Sequence, residues 1–209
     1  MYKMKLKKVY ISFLILFLAA PVVAQNIREV FKQMPDSMFP YITNTNRLDF
    51  IDFKDANMKA EVNNSLGGKS EMKVLTDNYI EVELSSVSNL QIRLLPKDST
   101  KVICMVTTFF GPEADSKVQF FSLNWKPLDI KSAVPSFDDF FVKPDSINTE
   151  RFVQLKKMVE PVMYYAMLSS KDNTITYSLS LPLLNKEDKK ALDAVLRKVT
   201  LKWTGNSFM

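Results

Sequence analysis

Residues 90–125 read LQIRLLPKDSTKVICMVTTFFGPEADSKVQFFSLNW, and the fold is decided in this stretch. Leu90, Ile92 and Leu94 alternate with Gln91 and Arg93. Residues 102–110 are almost continuously apolar or β-branched, and Val118, Phe120 and Leu123 recur after them with a break at Ser122. Pro96-Lys97-Asp98-Ser99 and Gly111-Pro112-Glu113-Ala114-Asp115 punctuate the three runs. A period of two bounded by turn residues is the pattern of antiparallel strands laid side by side. The stretch predicts a sheet and carries no chemistry of its own.

Working outward, Ile80, Val82 and Leu84 alternate with Glu81 and Glu83, and Met72 and Val74 flank Lys73. Connections of about five to seven residues suit a meander of hairpins. Strands are predicted near 72–75, 79–84, 90–95, 101–109, 117–124, 162–168, 174–181 and 199–203. Helices are predicted near 27–34, with Asn26 as cap and Glu29 three residues on; near 149–159, with Thr149 as cap; and near 186–197, with Asn185 as cap. The expected class is α+β, mainly antiparallel sheet with a few flanking helices. The order helix, strands, aromatic closing strand occurs twice. Residues 25–209 therefore read as one domain that divides into halves 25–135 and 145–209, joined by a linker rich in Pro and Phe. No sequence identity between the halves supports a true repeat.

The amino terminus reads as a signal peptide. Lys3, Lys5, Lys7 and Lys8 precede an apolar run over 11–20, and Val22 and Ala24 supply small side chains before Gln25. Residues 1–24 are expected to be cleaved, which places the mature chain in the periplasm or outside the cell with no transmembrane segment. No cysteine near the cut could carry a lipid. Loss of four lysines takes the net charge from +5 to about +1. A nucleic-acid partner thereby loses its electrostatic basis.

The chain has no histidine, and its single cysteine, Cys104, lies in an apolar run. That excludes Ser-His-Asp and Cys-His catalysis and leaves no metal-ligand spacing. No glycine-rich phosphate loop is present, so neither nucleotide nor cofactor is expected. Residues 44–53, NTNRLDFIDF, read as extended or irregular, and 55–63 as one or two helical turns. Asp49 and Asp52 are the first candidates for paired carboxylates, since a glycosidase needs two acids across a sugar bond. A spacing of three sets them on one face of a helix but on opposite faces of a strand. The bland reading has them accept backbone N–H groups or pair with Arg47. Residues 63–68, with Asn64, Gly67 and Gly68, read as a loop or tight turn that holds two of only four glycines, and Ser70 follows it.

These residues carry a resemblance. Met34-Pro35, Pro40-Tyr41, Asn46-Arg47-Leu48-Asp49, Ile51-Asp52, Asn64 with Gly67-Gly68 and Ser70, Leu94-Leu95-Pro96, residues 107–112 with Asp115-Ser116, and Trp125 resemble an uncharacterised family of secreted proteins from Bacteroidetes-type bacteria. The resemblance implies an exported protein of roughly one domain and implies no activity. Its motifs at 46–52 and 64–70 fall where periodicity explains least, which makes Asn46, Arg47, Asp49, Asp52, Asn64, Gly67, Gly68 and Ser70 the candidate binding residues. The expectation is a non-catalytic binding or interaction module of the cell envelope, whose partner is an envelope protein or glycan. The rivals are a carboxylate-dependent hydrolase of envelope polysaccharide or peptide, and a structural or chaperone-like component that uses the aromatics of 137–141.

Overall fold

The computed structural model describes residues 26–130, 134–181 and 184–209; the predicted signal peptide lies outside them. Two antiparallel sheets organise the chain. The first is a seven-stranded meander in sequence order: β1 (Glu61–Asn63), β2 (Lys69–Leu75), β3 (Tyr79–Ser85), β4 (Ser88–Lys97), β5 (Thr100–Phe110), β6 (Ala114–Phe121) and β7 (Pro127–Leu128). The second contains β8 (Met163–Leu168), β9 (Thr174–Ser180) and β10 (Val199–Lys202), with β9 in the middle. The α+β class and the antiparallel pairing are as the sequence predicts. Each of the eight expected strands is present, and short β1 and β7 are added at the edges.

The central strands of the larger sheet, β4 and β5, are buried on both faces. Helices α1 (Ile27–Lys32) and α2 (Asn44–Asp55) cover one face, packing against Met72, Ile80, Val82, Leu90, Ile92 and Met105. The smaller sheet covers the other, together with α3 (Thr149–Lys157) and α4 (Lys186–Asp193). There Val102, Cys104, Val106 and Phe120 meet Ala166, Ile175 and Tyr177. A strand covered on both sides needs no polar face, which is why residues 102–108 of β5 are all buried. Cys104 has no exposure, and burial pushes its thiol well above the ordinary range.

The second face explains the polar half of the alternation in β4. As the outer strand of its sheet, β8 has one row of backbone groups without a strand partner. Side chains of the larger sheet meet that row. Gln91 Oε1 accepts from the Leu168 N–H at 2.8 Å, and Ser116 Oγ accepts from the Ala166 N–H at 3.0 Å. Arg93 donates from Nη1 to the Ser169 carbonyl at 2.7 Å and from Nε to Asn173 Oδ1 at 3.0 Å. Gln91 and Arg93 are interior groups that join two sheets. Trp203 adds an anchor, stacking on Phe120 at 5.7 Å and donating to the Pro96 carbonyl.

Two local expectations are corrected. Residues 44–53, read as extended, form α2. Thr43 and Asn46 make a reciprocal capping box, and Arg47, Phe50 and Ile51 turn inward at helical spacing. The periodicity was concealed because the first inward residue is an arginine. Residues 55–63 are not helical beyond Asp55; the chain turns and enters β1 at Glu61. Smaller differences lie at the caps: Asn148, not Thr149, caps α3, while Asn26 and Asn185 cap α1 and α4 as expected. In the linker, Phe140 and Phe141 are buried in the second core, and the Lys156 ammonium lies 5.3–5.8 Å from the ring centres of Phe137, Phe141 and Phe152.

The exposed edge at β1 is protected by charge. Register sets Glu61 opposite Glu71 and Glu71 opposite Glu83, an unfavourable row of like charges on its own. Lys59, Lys69 and Lys73 interleave with it as ion pairs. Hydrogen bonds from Lys59 and then Lys69 hold the Glu61 carboxyl down to about 2, against an ordinary 4.5. A carboxyl whose folded value is lowered contributes stability above about pH 4.5, and loses it as pH falls toward 2. A carbon-13 titration of the Glu61 carboxyl is expected to show a midpoint near 2, rising toward 4.5 in Lys59→Met/Lys69→Met. A midpoint unmoved in the double variant would rule out the lysines as its cause.

Candidate functional site

Six of the eight candidate residues, Asn46, Arg47, Asn64, Gly67, Gly68 and Ser70, gather at the end of the larger sheet where the β1–β2 and β3–β4 turns lie, and most of them bond to the chain itself. Arg47 is 1% exposed. Its guanidinium donates to the Ile42 carbonyl at 2.8 Å, the Met34 carbonyl at 2.6 Å and Asp36 Oδ1 at 2.7 Å. It is thus an interior clamp joining the exit of α1 to the entry of α2. Asn46 completes the cap of α2 and reaches the Asn63 carbonyl. Asn64 Oδ1 accepts from the N–H groups of Leu66 and Gly68, and its Nδ2 donates to Ser70 Oγ at 3.0 Å. Ser70 in turn donates to the Leu84 carbonyl at 2.6 Å. Gly67 has φ +78°, a left-handed conformation that the turn requires and that a side chain would strain.

This network ties the β1–β2 turn to β3 and to the segment before α2. The Ser65 N–H donates to the Tyr41 carbonyl at 3.2 Å. Burial raises the Tyr41 phenol, with a Ser88 hydrogen bond acting against it. Asp49 and Asp52 stand apart from the network. Helical geometry places them on one side of α2, Asp49 half-buried and Asp52 exposed, and among the described residues neither carboxylate has an ion-pair or hydrogen-bond partner.

What the network supports is a surface that periodicity did not nominate. Turns β1–β2, β3–β4 and β5–β6 all emerge at this end of the sheet. Leu66 and Val87 lie on the first two turns and Phe109 and Phe110 end β5 before the third; they are 73%, 55%, 56% and 38% exposed. Val87 and Phe110 are joined by a backbone hydrogen bond of 2.9 Å, and Ser88 is registered against Phe109. The only hint in sequence was that Phe109 and Phe110 prolong the apolar run of β5 beyond the buried length.

Beside these side chains a pocket of about 210 Å³ opens on the face that meets the smaller sheet, lined by Lys73, Glu81, Glu83, Ser85, Ser86, Ser88, Asn89 and Phe110. Tyr79 Oη donates to Glu81 Oε2 at 3.1 Å, and Asn89 Nδ2 donates to Glu81 Oε1 at 3.0 Å. Burial, then the Glu81 charge, raises both Tyr79 and Tyr165, so both phenols stay neutral donors at physiological pH. Tyr165 also meets Phe110 edge to face at 6.1 Å. Asp49 and Asp52 belong to α2, on the opposite side of the sheet, and do not join Glu81 and Glu83. Among the described residues no group of three or more acids or cysteines could hold a metal ion, and no helix is long and apolar enough to cross a membrane.

The architecture is therefore a seven-stranded antiparallel meander between two helices and a smaller sheet, with an apolar end and a polar pocket beside it. The chain belongs to the family described as "Protein of unknown function (DUF3256)", whose model matches residues 19–208. Among solved structures it is similar to a domain of an uncharacterized protein from Porphyromonas gingivalis W83, a Bacteroidetes bacterium. The two share 26% identity with a TM-score of 0.73, over 88% of this chain and 96% of that one. No protein of curated function matches it.

Proposed function

We propose that this is an exported, non-catalytic binding module of the cell envelope that engages its partner through the turn-bearing end of the larger sheet. The observation that carries the reading is the exposure of Leu66, Val87, Phe109 and Phe110 at the one end of the larger sheet where three turns emerge, with Phe110 also lining a pocket there. Apolar side chains grouped at one end of a protein mark a contact surface. The hydrogen bonds of Asn46, Asn64 and Ser70 support the same reading, because they hold the β1–β2 turn in place without spending outward-facing groups. The lysine-rich, apolar start of the chain supports export. In this reading the family motif residues shape the surface, and the turns touch the partner.

The test is affinity capture from envelope extract by the mature chain and by Val87→Ser/Phe109→Ser. Both positions are exposed, so the variant is expected to fold as wild type. Capture of one specific envelope component, lost in that variant and kept in Asp49→Ala/Asp52→Ala, supports the module. Turnover of an envelope polymer by wild type, abolished in Asp49→Ala/Asp52→Ala, would replace it with the hydrolase. Capture that survives every surface variant would remove this end of the sheet as the contact.

A further inference from the structure

We infer that the pocket beside Phe110 takes the guanidinium group of an arginine side chain on a partner polypeptide. The inference rests on the binding-module reading and gives its site a ligand chemistry. At about 210 Å³ the pocket falls below the ~300–1,000 Å³ usual for small-molecule sites, so it suits one side chain rather than a whole organic ligand. Its polar lining is dominated by acceptors. Asn89 lines the pocket, and its Oδ1, closed to solvent, has no hydrogen-bond partner among the described residues. Glu81 receives Tyr79 and Asn89, which leaves further lone pairs on the carboxylate. Glu83 stands at the mouth, half exposed.

The one cation in the lining is already engaged. Lys73 Nζ is held between Glu71 Oε2 at 2.7 Å and Glu83 Oε2 at 3.1 Å. Against Glu81 and Glu83 it leaves the pocket with a net negative charge. The Ser85 and Ser88 hydroxyls are 2.8 Å apart and share one hydrogen bond. A ligand here must bring donors and positive charge. Phe110 forms one wall with its ring partly open. A guanidinium meets all three conditions, since it offers five donors in a plane that stacks on an aromatic face. An ammonium offers three donors from a single point and cannot serve separated acceptors while lying flat on the ring. Exposed Val87 beside the pocket then receives an apolar neighbour of that arginine.

The experiment follows amide and side-chain shifts of the isotope-labelled mature chain on titration with N-acetyl-arginine methylamide. Its citrulline and lysine counterparts serve as the uncharged isostere and the alternative cation. Shifts are expected at Ser86, Asn89 and Phe110, with citrulline weaker by about tenfold or more. Glu83→Gln and Phe110→Ala each weaken arginine binding by about tenfold while leaving the rest of the spectrum unchanged. Citrulline or lysine binding as well as arginine would overturn the assignment. So would shifts confined to other parts of the chain, or variants that bind arginine like wild type. If Val87→Ser/Phe109→Ser abolishes partner capture but arginine does not bind this pocket, the ligand chemistry falls and the module reading stands. If neither effect is seen, both fall.

Discussion

Replacing Arg47 by methionine is expected to lower unfolding stability by about 3–4 kcal/mol, although no ligand or catalytic step is involved. Methionine keeps much of the volume and removes the donors. The carbonyls of Met34 and Ile42 then lose their partner inside the protein, and Asp36 loses its cation. Asp36 is largely exposed, so its ion pair contributes little; the cost falls on the two carbonyls. Arg47→Lys is expected to recover only part of the loss, because one ammonium cannot reach two carbonyls and a carboxylate along the directions a guanidinium spans. Urea denaturation checks this. The midpoint is expected to drop with an unchanged slope, and a Lys variant as stable as wild type would remove the clamp from the account.

The second large effect is at Trp125. Its ring is 6% exposed, lies 5.6 Å from Phe121, and donates from Nε1 to the Val30 carbonyl at 2.8 Å. It thereby pins α1 to the β6–β7 turn. Trp125→Ala is expected to cost about 3–5 kcal/mol through the cavity and the lost bond. The backbone adds a distinguishing feature. Trp125 has φ +59°, a left-handed conformation that costs a residue with a Cβ about 1–2 kcal/mol. Glycine removes the same side chain and also that penalty. Trp125→Gly is therefore expected to be more stable than Trp125→Ala by about 1 kcal/mol, the reverse of the order at an ordinary position. Paired denaturation curves decide it, and an alanine variant as stable as the glycine one would show that this backbone relaxes once the ring is gone.

Both effects concern residues that the family resemblance had marked, and both act through packing. The remaining marked residues behave similarly. Asn64 and Ser70 spend their polar atoms on the turn and on β3, and Asn46 on the helix cap. A recurring polar residue in a loop can record a backbone that needs a partner as readily as a surface that meets a ligand. The pocket instead uses Glu81, Asn89 and Phe110. In sequence these read as the solvent side of β3, an unremarked start of β4 and the end of an apolar run.

The sequence by itself determined the class of fold and the positions of most strands. Period-two alternation at Ile80, Val82 and Leu84, and the apolar run through β5, are local consequences of which face is buried, so they can be read without coordinates. The asparagine caps at Asn26 and Asn185 are equally local. Only the tertiary structure decided that α2 is a helix, because its inward stripe begins with an arginine that pairs with Asp36 and donates to carbonyls 5 and 13 residues away. It also decided that Gln91 and Arg93 are interior. Their partners are backbone groups of Leu168 and Ser169, more than 70 residues distant, and no local pattern encodes a contact across that separation. The pocket belongs to the same class of fact: β3, β4 and β5 each supply one wall of it, and the walls meet only once the meander has closed.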